Sequence, residues 1–362
     1  MSLPTEVLAQ LPTPCLVVDI EAAERNIAIA AALFRDGPAR LRPHFKAHKC
    51  TELIRRQLAA GGCVGVTCQT PYEAAVLADA RVEDILVANE TTEPAALDAL
   101  AAAARKATVM TCVDHVRHVA LLAEVAARHG VEIAVLVELD VGIGRCGLPV
   151  ESDRLIPIAE AIVAAPGLTF RGIHAYEGHV QRREDRELRR TLVWQAAQQV
   201  GREKERLERA GFPCPIVSGG GTGTWDLTGE TGVYNEVQAG SYVLMDATYA
   251  RLGLPFEHAL FCATRVISRR APDTGVLNGG LKAMSAESGM PVCTIPGVTV
   301  IGLADEHARL RVAPGVALEV GDLVLLIPSH IDPTINIHDA LFAWSPKEGL
   351  RRWEVDGRRR IG

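Results

Sequence analysis

Short runs rich in apolar and β-branched residues alternate with segments of helical period, and this alternation constrains the chain more than any other feature. The runs are Pro14 to Asp19, Leu41 to Lys46, Val64 to Cys68, Ile85 to Asn89, Ala107 to Val113, Ile133 to Asp140, Thr169 to Tyr176, Pro215 to Gly219 and Glu236 to Leu244. Between most of them lie roughly ten to twenty residues of helical period, as in Glu21 to Leu33 or His115 to His129. Strands joined by such crossovers form a parallel sheet. The run Ile133-Ala134-Val135-Leu136-Val137 is continuously apolar, as in a strand covered on both faces. Polar residues collect where the runs end: Lys46, Cys68-Gln69, Asn89-Glu90, Asp114, Glu138 to Arg145, Tyr176 to Gln181, Ser218 to Thr224. In a (β/α)8 TIM-type barrel those ends make the active-site face, so the pattern predicts a barrel rather than an open doubly wound sheet. Nine strands are one too many, and the first is expected to belong elsewhere.

The texture changes after about Leu252. Alternating segments such as Ala259 to Ile267 and Asp322 to Ile327 predict a C-terminal antiparallel β domain over 253–362, behind a barrel over 21–252. With 48% apolar residues in 362, a sizeable core is expected. A net charge of -6 with acids and bases interspersed excludes nucleic acid or an anionic membrane as the main partner. Charged residues interrupt the alanine-rich stretches too often for a bilayer span. Nine cysteines without a CxxC pair predict reduced thiols in a cytoplasmic protein. The N-terminus has no basic region followed by an apolar core, so no signal peptide is expected.

Lys46 closes a strand within Arg42-Pro43-His44-Phe45-Lys46-Ala47-His48-Lys49. An uncharged lysine amine forms a Schiff base with an aldehyde, and cationic neighbours favour the uncharged form. Ser218-Gly219-Gly220-Gly221-Thr222-Gly223-Thr224 exposes successive amides after a late strand, where barrels often bind phosphate. It is neither a Walker loop nor a GxGxxG turn. An amine and a phosphate cradle together suggest pyridoxal 5'-phosphate. In Val141-Gly142-Ile143-Gly144-Arg145-Cys146-Gly147, Arg145 either reaches a pyridine nitrogen or a substrate carboxylate, or pairs with Asp140 to brace the turn. His330 and Asp332, at i and i+2 of an expected strand, point the same way and can touch one divalent ion, with His338 as a supporting residue. His179 is a general base or a solvated loop residue. Asp305-Glu306-His307 reads as a polar turn or as a face toward a neighbouring subunit's site.

These motifs, in this order, resemble the D-threonine aldolase and D-serine dehydratase group of alanine-racemase-like, fold-type III pyridoxal phosphate enzymes. The resemblance covers nearly the whole chain and rests also on Ala88-Asn89-Glu90, Tyr234 to Tyr242 and Pro328 to Thr334. It implies that the N-terminal strand, within residues 1–20, joins the C-terminal β domain. It implies that Lys46 carries the coenzyme, that Gly221, Thr222, Gly240 and Ser241 lie near its phosphate, and that Gln69, Arg145, Tyr176 and Tyr242 complete its site. His330 and Asp332 would hold the metal. The dehydratases tend to show His-x-Cys there, so Asp332 points to an aldolase and to Mn²⁺ or Mg²⁺, with Zn²⁺ the softer alternative. The implied reaction is cleavage of a β-hydroxy-D-amino acid, D-threonine-like, to glycine and an aldehyde by a homodimer.

One departure stands out. The aldolases carry Gln-His after the Ala-Tyr strand, and that histidine is the expected base; here Gln181 is followed by Arg182. Arginine is no base at neutral pH. Either His179 or the metal's water takes over, or Arg182 grips an anionic substrate side chain, which would make the chain a D-3-hydroxyaspartate aldolase. A D-serine or D-3-hydroxyaspartate dehydratase on the same scaffold, giving a keto acid and ammonia, is the nearest rival. A racemase has no need of His330 and Asp332, and a non-catalytic coenzyme-binding protein would have no need of the β domain. Borohydride reduction of the coenzyme-loaded protein, followed by peptide mapping, should label Lys46; label on another lysine would reject the assignment.

Overall fold

The computed structural model describes residues 4–359, which form two compact units. One comprises residues 30–46 and 54–240, the other residues 4–29, 47–53 and 241–359. The outer ends of the expected β domain, residues 1–3 and 360–362, lie outside the described residues.

Strand β1 (Cys15–Asp19) belongs to the second unit. The first unit is built on β2 (Arg40–Leu41), β3 (Val66–Cys68), β4 (Asp84–Val87), β5 (Thr108–Val113) and β6 (Ile133–Asp140), with the two-residue β7 (Leu148–Pro149) paired to the end of β6. It continues with β8 (Leu168–Ala175), β9 (Ile216–Gly219) and β10 (Glu236–Val237). The order is β2-β10-β9-β8-β6-β5-β4-β3, every pair parallel. Isolated parallel bridges Leu41–Cys63 and His44–Thr67 join the two edges and close the barrel that the strand–helix alternation required. Helices cover the outside. Pro94–Ala104 starts behind Glu93, whose carboxylate accepts the Ala96 amide at 2.6 Å, and Val116–His129 ends at Gly130 in the left-handed region. Among the described residues no helix is long and apolar enough to cross a membrane.

The period of two along each strand decides what faces inward. On β6, Ile133, Val135, Val137 and Leu139 join the large cluster under the helices, whereas Leu136 joins a small interior cluster with Leu86, Ala88, Met110, Cys112 and Ile216. The register sets Leu86 beside Met110, Cys112 beside Leu136, Glu138 beside His174, and His174 beside Ser218. Two residues beyond Ala88, Cys112 and Leu136 come Glu90, Asp114 and Glu138.

The strands next to the closure are the shortest, and a buried ion pair supports them. Arg42, just past β2, donates from Nε and Nη2 to Glu236 of β10 at 2.8 and 2.7 Å, and from Nη1 to Asp84 of β4. Two expected strands are cut short here. Regular strand ends at Leu41; past it the chain keeps single bonds, the Thr67 amide to the Pro43 carbonyl at 2.9 Å and the His44 amide to the Ala239 carbonyl at 3.1 Å, and Lys46 sits in a 3-10 turn, Phe45–Ala47. The run to Leu244 ends at Val237, and a 3-10 turn, Ser241–Val243, follows Gly240.

The second unit adds β11 (Leu260–Ser268), β12 (Thr274–Leu277), β13 (Val292–Cys293) and β14 (Val298–Leu303). Then come β15 (Ala308–Val312), β16 (Leu323–Ile327), β17 (Ala340–Ser345) and β18 (Gly349–Glu354). The order β14-β15-β12-β11-β1-β17-β18 is antiparallel except for β1 with β17.

Replacing Arg42 by alanine leaves Glu236 buried and unpaired. It should cost roughly 3–5 kcal/mol in denaturant unfolding, against about 0–1 kcal/mol for an exposed pair such as Arg25–Glu257. Equal losses at the two sites would show that the buried pair does not support the closure.

Candidate active site

Strands that all run the same way share one C-terminal rim. Gln69 follows β3, Lys46 lies beyond β2, Gly240 beyond β10, Gly221 and Thr222 beyond β9, Tyr176 beyond β8 and Arg145 beyond β6. Lys46 is half-buried, and Thr222 is buried. Gln69 is fixed by its own amide, which donates to Glu73 at 2.8 Å, and by its side chain, which donates to the Ala88 carbonyl at 3.1 Å.

The glycine-rich turn is braced from beneath by Glu177, which the sequence did not single out. The Glu177 carboxylate is fully buried and accepts the Gly220 amide at 3.0 Å and the hydroxyls of Thr224 and Thr228 at 2.9 and 2.8 Å. Gln181 completes the brace. It accepts the Gly223 amide at 2.9 Å and donates to Thr224 Oγ1 at 2.9 Å. The approach is so close that a Cβ at Gly223 would stand 1.9 Å from the Gln181 carbonyl oxygen. Arg182, the next residue, is exposed.

Arg145 is positioned by Glu138, not by Asp140. Its Nη2 lies 3.6 Å from Glu138 Oε1, and its guanidinium carbon sits 5.6 Å from the Tyr176 ring centroid. Asp140 instead accepts the amides of Gly142 and Gly144 at 2.9 and 3.0 Å, folding the turn. On the other side, Glu138 Oε2 is 3.0 Å from His174 Nδ1, with both side chains buried. Burial works against both charges, but each partner prevails: Glu138 is held below the usual carboxylate range by His174 and Arg145, and His174 is raised by Glu138. Cys112, Glu138 and His174 place three potential metal ligands within 4.8 Å of one another. The Arg145 cation already stands against Glu138, and burial pushes the Cys112 thiol well up, so the set is a charge-balanced pair beside a neutral thiol. His179 packs on the Arg145 turn; a Cβ at Gly142, whose φ is +124°, would lie 2.9 Å from its Cε1.

The second unit holds His330 and Asp332, at the start of a short helix, Ile331–Ile335, and not on the expected strand. The helix brings them together all the same, His330 Nε2 standing 3.5 Å from Asp332 Oδ1. Glu287 contacts His330 Nδ1 and so orients the ring. Ser241 Oγ donates to Asp332 Oδ1 at 3.5 Å. Asp246 accepts the amides of Thr248, Tyr249 and Ile331 at 3.0, 2.8 and 3.3 Å, and burial pushes its carboxyl up to about 6. Burial disfavours the His330 imidazolium, yet Asp332 and Glu287 outweigh it and raise the pKa. An imidazole nitrogen facing a carboxylate, its other nitrogen held by a second carboxylate, is a donor set suited to a divalent cation. Neither Glu287 nor Asp246 carries a local motif; only the fold brings them to His330. His338 bonds the Ala283 carbonyl at 2.8 Å instead. Glu306 pairs with Lys282 at 2.6 Å in an exposed turn. Lys49, three residues after Lys46 in the chain, belongs to this unit and donates to Asn336, at the end of the same helix, at 2.9 Å.

Residues 18–248 match the family described as alanine racemase, N-terminal domain, and residues 259–344 match a serine dehydratase domain. The chain is 41% identical to a 3-hydroxy-D-aspartate aldolase of Paracoccus denitrificans, over 91% of this chain and 88% of that protein. It is 39% identical to a D-threonine aldolase of Arthrobacter, over 98% of this chain and 95% of that one. The crystal structure of D-threonine aldolase from Filomicrobium marinum superposes with a TM-score of 0.94 at 37% identity, covering 100% of both chains. The chain therefore belongs to the D-threonine aldolase and D-serine dehydratase group of the alanine-racemase-like family.

Proposed function

We propose that this protein is a pyridoxal phosphate- and divalent-metal-dependent aldolase, a cytoplasmic homodimer that cleaves a β-hydroxy-D-amino acid to glycine and an aldehyde. The observation that carries the reading is the shared rim of the parallel barrel. There a lysine amine, a glycine turn buttressed by Glu177 and Gln181, and a guanidinium over a tyrosine ring follow different strands on one face. The names of the two aldolase relatives support the reaction type. The residues fit an anionic ring aldehyde: an amine at Lys46 for the aldehyde and, beyond β9, a hydroxyl-bearing glycine turn that Glu177 and Gln181 hold by the Gly220 and Gly223 amides.

Bound there, the coenzyme supplies an aldehyde for the substrate amine and an electron sink for the breaking Cα–Cβ bond. Lys46 would anchor it by its amine. Gly221, Thr222, Gly240 and Ser241 would lie near its phosphate, and Gln69, Tyr176 and Tyr242 would complete its site. Arg145, steadied by Glu138, would serve its ring nitrogen or a substrate carboxylate. His179, lying against the Gly142 turn, takes the proton of the substrate's β-hydroxyl. His330 and Asp332 would hold Mn²⁺ or Mg²⁺, with Zn²⁺ as the alternative, and the ion would lower the pKa of that hydroxyl.

A second reading concerns the side chain only. Arg182 is exposed directly after Gln181, so an acidic substrate such as D-3-hydroxyaspartate has a cation next to the coenzyme turn. Arg182→Ala should lower kcat/KM for D-3-hydroxyaspartate by about 10- to 100-fold and leave D-threonine nearly untouched, the size of one lost charge-assisted contact. An unchanged substrate preference would reject the anion grip.

Removing divalent ions with a chelator should abolish aldehyde release, and Mn²⁺ or Mg²⁺ should restore it in the wild type but not in His330→Ala. Full activity without metal, or ammonia and a keto acid as products, would overturn the aldolase reading.

A further inference from the structure

The chain between β12 and β13 forms a loop that is clipped, at alternate residues, to the segment carrying His330. The Ala283 carbonyl accepts from His338 Nε2 at 2.8 Å. The Ser285 amide donates to Thr334 Oγ1 at 3.1 Å, and the Ser285 carbonyl accepts from Ser329 Oγ at 3.2 Å. Thr334 Oγ1 in turn donates to the His330 carbonyl at 2.8 Å. Glu287 ends the series on the His330 ring itself, where its Oε1 meets Nδ1. That same oxygen accepts from Ser288 Oγ at 2.7 Å, and the Glu287 amide donates to Ser285 Oγ at 3.3 Å. The serines and Thr334 thus fix both the backbone and the side chain of Glu287 against His330.

This contact selects one form of the ring. A carboxylate oxygen only accepts, so the proton of a neutral imidazole stays on Nδ1 and the Nε2 lone pair is left on the side of Asp332 Oδ1, 3.5 Å away. A divalent cation takes that lone pair. A negative partner on Nδ1 also makes Nε2 the stronger donor and fixes the plane of the ring. His330 opens the helix Ile331–Ile335 but its ring makes no capping bond to it, so the ring's Nδ1 edge is given to the loop instead.

We propose that Glu287 is a positioning residue for the divalent cation: mounted on the Ala283–Ser288 loop, it holds the His330 ring in the orientation and tautomer that present Nε2 beside Asp332. This rests on the metal site proposed at His330 and Asp332. Without Glu287 the proton distributes over both ring nitrogens and the ring turns about its side-chain bonds, so a cation must order the ring before it binds. The effect falls on metal affinity and leaves the coenzyme rim, in the other unit, alone.

The test is the Mn²⁺ dissociation constant of the metal-stripped holoenzyme, read from the electron paramagnetic resonance of free Mn²⁺. Glu287→Ala should raise it about 10- to 100-fold, the usual effect of losing the partner of a metal-bound histidine. Glu287→Gln keeps an acceptor at Nδ1 but no charge, and should raise it about three- to tenfold, since a neutral hydrogen bond has about half the strength of a charge-assisted one. Both variants should keep the wild-type absorbance of bound pyridoxal phosphate, and saturating Mn²⁺ should return their kcat to near the wild-type value. A Glu287→Ala constant within about twofold of the wild type overturns the inference, as does a kcat that saturating metal does not restore. If Glu287→Ala fails to fold by circular dichroism, Glu287→Gln decides, and an unmoved constant overturns it. His330→Ala on the same titration separates the two readings. Mn²⁺ binding that survives His330→Ala sinks the proposed metal site and this inference together, whereas binding lost in His330→Ala and unaltered in Glu287→Ala sinks this inference alone.

Discussion

Parallel register around a closed ring is the constraint on which the rest depends. Side chains alternate with a period of two, so a slip of one residue on β6 would turn Glu138 out against the helices and Val137 into the ring. Two buried charges would then lose their partners, at a cost of several kcal/mol each. Beside the closure, β2 and β10 are two residues long each, too few hydrogen bonds to hold register alone. Arg42 links β2 to β10 and β4, so one buried guanidinium supports both register and closure.

On the rim, carboxylates of one chemical type take different states because their surroundings differ. Glu177 is spent on three donors and serves as scaffold. Glu138 is flanked by two cations and stays ionised. Burial, with Glu138 and Asp114 beside it, pushes Glu90 up to about 7. The glycine turn and the Arg145 turn are thus each shaped by an acid from another strand. In the second unit Asp246 caps the loop and helix around His330, while Glu287 and Asp332 face its two ring nitrogens.

Much of this was legible in the chain. Strand–helix alternation set the barrel, and polar residues at strand ends marked its polar rim, because parallel strands must end together. Local errors came at Lys46, which sits in a 3-10 turn past Pro43, and at His330, where an expected strand is a helix start; in both places a run that looked extended turns into helical geometry. The supports of the site left no local trace. Glu177 lies in loop sequence, Glu287 is 43 residues from His330, and Asp246 is 85 residues from the Ile331 amide it accepts.

By itself the sequence determined the class of sheet, the end at which its polar residues collect and the family to which the chain belongs, since periodicity and long ordered motifs are properties of neighbouring residues. Only the tertiary structure decided that Arg145 leans on Glu138 and not Asp140, that His179 packs on Gly142 and that Glu177 braces the glycine turn. Those outcomes depend on which side chains of distant strands meet at van der Waals range, and burial there turns small differences in distance into differences in charge.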